Sequence, residues 1–85
     1  EVPNRLAAYL IELAERKSTT YQGKCYIDLE MKKGELASRL GTVSETLSRA
    51  FRKLKEDSIL EVDGSRVIIL DMTALSRLSN STAKG

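Results

Sequence analysis

The sequence predicts a mainly α-helical fold carrying a small antiparallel β-hairpin, an α+β arrangement, on three observations. Apolar residues recur at helical spacing in successive stretches; two of those stretches are parted by a few residues around Gly41; and Asp63-Gly64 lies between two β-branched runs. The chain length agrees, since 85 residues make one domain, and 41% hydrophobic against 31% charged residues supply one core.

Each element follows from local pattern. From Pro3 to about Lys17, Leu6, Leu10, Leu13 and Ala14 repeat at helical spacing, and Pro suits a first turn. Ser18 to Lys24 has hydroxyl, Gln and Gly residues without a period and reads as a loop. Cys25, Ile27 and Leu29 then alternate with Tyr26, Asp28 and Glu30, the mark of a half-buried strand. A helix over Lys33 to Leu40 places Leu36, Ala37 and Leu40 on one side and is broken by Gly41. Thr42-Val43-Ser44-Glu45 has the Thr-x-x-Glu spacing of a capping box, which would start the next helix at about residue 43. That helix runs to about 57, with Leu47, Ala50, Phe51 and Leu54 as its core face and Glu45, Arg49, Arg52 and Glu56 opposite, flanked by Ser48 and Lys53. Ile59 to Val62 and Arg66 to Leu70 form the hairpin. Asp71 caps a last short helix with Leu75 and Leu78. The expected domain is 1–79, followed by a disordered tail at 80–85.

Several function classes are disfavoured. The longest apolar run, Ala7 to Ile11, is far short of the roughly 20 apolar residues that a bilayer span needs, so no membrane partner is expected. Without His and with one Cys, the chain lacks the commonest general base and the usual zinc-ligand sets. Nothing pairs a nucleophile with a base, so no enzyme activity, metal or cofactor is expected in this chain. Cys25 reads as a small packed hydrophobe, and a reducing, cytoplasmic setting is expected. The first residue is Glu, so the chain is expected to be part of a longer protein.

Charge is unevenly placed. Between Lys32 and Lys55 seven basic residues face two acidic ones, a balance of +5, while the remainder carries −3. Such asymmetry is the footprint of a nucleic-acid surface. Two helices around a tight turn, the second with a patterned polar face, followed by a hairpin, describe a winged helix-turn-helix whose recognition helix spans about 43–57. Glu45, Ser48 and Arg49 occupy its exposed N-terminal turns. The Arg fork matches guanine O6 and N7, Glu accepts from cytosine N4, and Ser pairs with either kind of edge. Arg52, Lys53 and Lys55, and in the same class Lys32, Lys33 and Arg66, read as phosphate-facing or merely solvated rather than base-reading, and the hydroxyls of Thr42, Ser44 and Thr46 are expected to contact phosphate. The alternative for Glu45 is that it serves only in the capping box, or fills both roles, and the alternative for Arg49 is one end of an i, i+4 ion pair with Glu45 in the free chain, which would not preclude DNA contact.

The run Leu40-Gly41-Thr42-Val43-Ser44-Glu45-Thr46-Leu47-Ser48-Arg49, with Leu54 and a Gly-centred hairpin after it, resembles the DNA-binding domain of the bacterial Crp/Fnr transcription regulators. The resemblance reaches from Asn4-Arg5-Leu6 to Asp71 and implies base contacts by Glu45, Ser48 and Arg49. Ser48 where other members have Gly resembles the Fnr branch and implies TTGA-like half-sites in a palindromic operator. It further implies a sensory and dimerising region outside this chain, a homodimer for the full-length protein, a monomer for this segment, and RNA polymerase as a partner. Two residues depart from the family pattern. Val43 stands where Ser or Thr is usual, moving the expected cap to Thr42, and Ser58 stands where Gly often ends the recognition helix. The rival expectation is a winged-helix protein-interaction module whose basic helix meets an acidic protein surface.

Overall fold

In the computed structural model, which describes residues 2–84 and the side chains of residues 2–80, helix α1 (Val2–Arg16) buries Leu6, Ala7, Leu10 and Leu13 along one face. Pro3 sits in its first turn, where a missing amide proton costs nothing. Strands β1 (Thr19–Tyr21) and β2 (Lys24–Asp28) come next, then α2 (Lys33–Arg39) and α3 (Ser44–Glu56). Strands β3 (Leu60–Asp63) and β4 (Arg66–Ile69) and helix α4 (Met72–Lys84) complete the order.

The expected hairpin is half of a larger sheet. β3 and β4 pair antiparallel through a turn at Gly64-Ser65, and β4 also pairs with β2, giving a four-stranded order β1-β2-β4-β3. Period-2 alternation sorts its side chains. Ile27, Val67, Ile69 and Leu60 are buried under the helices, with Cys25 and Val62 packed against them. Tyr26, Asp28, Arg66, Ile68, Glu61 and Asp63 share the other face. Helix α1 packs along α4 and against α3 and β2, and α2 packs on α3 as well. No charged or polar side chain is buried among the described residues.

Three sequence expectations need correction. The stretch Ser18–Lys24 is not a loop: it holds β1, the turn and the first residue of β2. Gln22 (φ 52°) and Gly23 (φ 77°) are both left-handed, the two-residue turn whose twist suits a hairpin. All three β1 residues are exposed, so no apolar alternation marked the strand. The last helix is longer than expected, although Asp71 does cap it, its Oδ1 accepting from the Ala74 amide at 3.0 Å. The expectation of a disordered tail at 80–85 falls, beyond Asn80, outside the described side chains.

The third correction concerns the start of α3. No capping box forms; the cap position is held by Val43 in extended conformation (φ −113°, ψ 162°), with no side-chain hydrogen bond. Thr42 is already engaged at the exit of α2. Its amide donates to Ala37 O at 2.8 Å and the Gly41 amide to Ser38 O at 3.1 Å, the paired bonds of a Schellman ending with Gly41 left-handed at φ 76°. A capping box would need the Thr42 amide for the Glu45 carboxylate, and that amide is already bonded to Ala37 O. The Arg5 guanidinium of α1 donates to Leu40 O at 3.1 Å, placing a cation at the negative end of α2. Helix α3 leaves by the same pattern, Ser58 N to Lys55 O at 3.0 Å and Ile59 N to Leu54 O at 2.9 Å, with Ser58 left-handed at φ 59°.

At the far edge, the Lys17 ammonium donates to Glu30 and ties the end of α1 to the segment after β2. This hydrogen bond holds the Glu30 carboxyl below its ordinary range and the Lys17 amine above its own.

Candidate nucleic-acid interface

Helix α3 is amphipathic by construction. Leu47, Ala50, Phe51 and Leu54 are buried, and the opposite side is open to solvent. At 100° per residue the open side has three parts. Glu45 and Glu56 form its crest; Ser48, Arg52 and Lys55 descend one flank; Thr46, Arg49 and Lys53 descend the other. Each flank borders a shallow depression. The first is lined by Lys33, Ser48, Phe51, Arg52, Lys55 and Val62, so it lies between the start of α2, α3 and the strand β3. The second is lined by Val2, Pro3, Thr46, Arg49, Ala50 and Lys53, between α3 and the start of α1.

The expected base-reading residues lie together on the first two turns of α3. The side chains of Glu45 and Arg49 are 81% and 73% exposed, and they face each other at 3.6 Å, the anticipated i, i+4 pair. At such exposure the pair contributes only about 0.3 to 0.5 kcal/mol and yields readily to a better partner. Ser48 is half-buried beside Val62 and faces the other flank. Ser44 is exposed and Thr42 and Thr46 half-buried at the turn and first helical positions; Lys32, at the cap of α2, is exposed.

The expected phosphate contacts divide into engaged and free cations. Lys53 pairs with Asp57 at 3.5 Å. Arg66 is held on the outer face of the sheet: its Nε donates to Asp28 Oδ1 at 3.1 Å, it stands opposite Asp63 in the ladder, and its guanidinium lies 6.0 Å from the Tyr26 ring centre. It lines neither depression beside α3. Lys33, Arg52 and Lys55 border one depression and belong to no ion pair among the described residues. The sequence left Arg52, Lys53 and Lys55 alike between phosphate-facing and solvated; the spacing of Lys55, seven from Ser48 and three from Arg52, is the signal that places it on their flank.

Two helices joined by a tight turn, the second exposed along a polar face, and a hairpin beside it define the winged helix-turn-helix class. Within that class the chain belongs to the Crp-like helix-turn-helix domain family, whose model matches residues 4–78. It is 37% identical over 78 residues to the anaerobic regulatory protein of Pasteurella multocida, covering 92% of this chain and 29% of that protein. It is 38% identical over 77 residues to the nitrogen fixation regulation protein FixK of Rhizobium meliloti, covering 89% and 35%. Among solved structures, the CO-dependent transcription factor CooA of Carboxydothermus hydrogenoformans superposes with a TM-score of 0.85 at 26% identity, over 93% of this chain and 37% of that one. A CRP/FNR-family transcriptional regulator from Thermus thermophilus gives 0.82 at 27% identity, over 94% and 41%. The chain thus spans about a third of the length of the curated relatives it matches. These relatives are transcription regulators, a family without enzymatic activity. No helix among the described residues is long and apolar enough to cross a membrane.

Proposed function

We propose that the chain binds duplex DNA sequence-specifically, with α3 lying in the major groove. The observation that carries this is the division of α3 into a buried apolar face and an open face with Glu45, Ser48 and Arg49 on its first two turns. A major groove about 12 Å wide admits one helix of about 10 to 12 Å diameter. Arg49, released from its loose pair with Glu45, makes a bidentate contact with guanine O6 and N7. Glu45 accepts from cytosine N4 on the neighbouring pair, and Ser48 contacts a base edge on the wing-facing flank. Thr42, Ser44 and Thr46 contribute hydroxyls, and Lys32 an ammonium, to phosphates along the edges of the groove.

In a protein of the relatives' length, two such domains would read a palindromic operator with TTGA-like half-sites about 34 to 36 Å apart, in the cytoplasm and in contact with RNA polymerase. The deciding experiment is a double-mutant cycle on a duplex selected from a random pool. Wild-type and Arg49→Ala affinities are measured on that duplex and on one with the contacted guanine replaced. Redundant losses support the contact; additive losses remove Arg49 from base reading.

A further inference from the structure

The start of α3 breaks a local rule at one residue. Val43 holds the cap position in extended conformation, φ −113° and ψ 162°, yet makes no side-chain hydrogen bond to the helix. Ser, Thr, Asp and Asn are strongly preferred there because their oxygens accept from the free amides of the first turn, which the methyls of Val cannot do. Packing gives nothing back. The side chain is 63% exposed and is not among the apolar residues that pack on the core. A lone exposed apolar residue is ordinary on a protein surface. This one displaces a capping group within Thr42-Val43-Ser44-Glu45-Thr46, where every other residue is polar, at the end of the helix that carries Glu45, Ser48 and Arg49. A local preference broken with no gain inside the fold points to a gain outside it.

We propose that Val43 is a specificity residue that packs its methyls against the C5-methyl of a thymine, beside the base pair that Glu45 contacts. The inference rests on the DNA-binding reading of α3 and adds an apolar reader to its polar ones. Along the base edges of the major groove, hydrogen-bonding groups are joined by one apolar group, the thymine methyl. The extended backbone carries Val43 off the first turn of α3, at the end that leads into the groove and two residues before Glu45. A serine hydroxyl in this place pairs with several base edges, whereas two methyls favour thymine over cytosine, whose amino group they would strip of water. Contact with deoxyribose would bury the same methyls without reading sequence, and removal of the thymine methyl alone separates the two.

The test replaces each thymidine of a duplex selected from a random pool, one at a time, by deoxyuridine, which removes the methyl and leaves the base-pairing edge unchanged. Affinities are measured by fluorescence anisotropy for the wild type, Val43→Ser and Val43→Ile. One replacement per half-site is expected to weaken the wild type about fourfold, the worth of one buried methyl, and the others by less than about 1.5-fold. Val43→Ser, which gains a capping oxygen and so folds at least as stably, is expected to lose that difference. Val43→Ile is expected to keep it. A merely structural role for Val43 would leave the methyl dependence unmoved by either substitution. The proposal is overturned if no thymine shows the dependence, if Val43→Ser retains it, or if Val43→Ile loses it, while the Arg49 and guanine cycle still shows site preference. A wild type that binds the selected and unrelated duplexes equally overturns this contact and the sequence-specific reading together.

Discussion

The exits of α2 and α3 use one hydrogen-bond pattern and differ in the residue that occupies its left-handed position, Gly41 in one and Ser58 in the other. Gly adopts that conformation without a steric penalty, whereas a residue with a Cβ gives up roughly 1 to 2 kcal/mol there. The glycine therefore stands where the chain turns into α3, and the strained serine where the chain leaves it. The residues after each exit differ as well. After Ser58, Ile59 and Leu60 go directly into the core, so burial holds the turn in place. After Gly41 come half-buried Thr42 and exposed Val43, and the turn depends on its own backbone bonds and on Arg5. The lesson is that the entry to α3 is set by local geometry and its exit by packing.

Substitutions at the two exits test this, and the largest effect is expected at the first. Gly41→Val forces a β-branched residue to φ 76° and brings a Cβ within 3.3 Å of the Arg5 guanidinium. A loss of about 2 to 3 kcal/mol is expected in urea unfolding. A loss below about 1 kcal/mol would show that the turn adjusts and that the contrast is wrong. At the second exit, Ser58→Gly should stabilise the chain by about 0.5 to 1 kcal/mol, the relieved strain less the extra entropy of an unfolded Gly. Destabilisation there would mean that the serine has a role beyond its backbone. Arg5→Ala removes a cation and a donor from the end of α2 and should cost about 0.3 to 1 kcal/mol, read as a lower thermal midpoint. The smallest effect is expected at Glu45. Because no capping box forms, Glu45→Ala in the free chain should cost only the exposed ion pair, about 0.3 to 0.5 kcal/mol. A loss of about 1 kcal/mol or more would restore the cap.

How much of this was legible in the sequence depends on burial. The core face of α3 was readable because Leu47, Ala50, Phe51 and Leu54 keep a 3.6-residue period and are all buried, and the flank positions of Arg49 and Ser48 come from the same period. The hairpin itself was readable from Asp63-Gly64 between β-branched runs, although Asp63 belongs to β3 and the turn is the two residues Gly64-Ser65. Strand β1 was not, because Thr19, Thr20 and Tyr21 are all exposed and owe their extension to pairing with β2, a long-range cause with no local trace. The capping box failed for a related reason. Its spacing is a local signal, but Thr42 is claimed by the preceding helix, and sequence spacing does not show which of two neighbours wins a residue. For Arg66, the basic side chain was readable but its carboxylate partner was not, since Asp28 lies 38 positions away in the chain and adjacent in the sheet.

The turn between α2 and α3 contains no spare residue, and this sets the chain's tolerance of insertions. Leu40 caps α2, Gly41 and Thr42 close it by hydrogen bonds, and Val43 is the cap of α3. One added residue has no empty position to fill, so either an α2 closing bond is abandoned or α3 begins one residue out of phase. In the second case the helix must turn by about 100° to keep its sequence in register with the added residue, or else leave Leu47 and Phe51 off the core. The first two turns would then present Ser44 and Ser48 in place of Glu45 and Arg49. Length at this turn is therefore as much a determinant of what α3 displays as the identity of the residues displayed, whereas the exposed turn at Gln22-Gly23 can lengthen with no such effect on the helix.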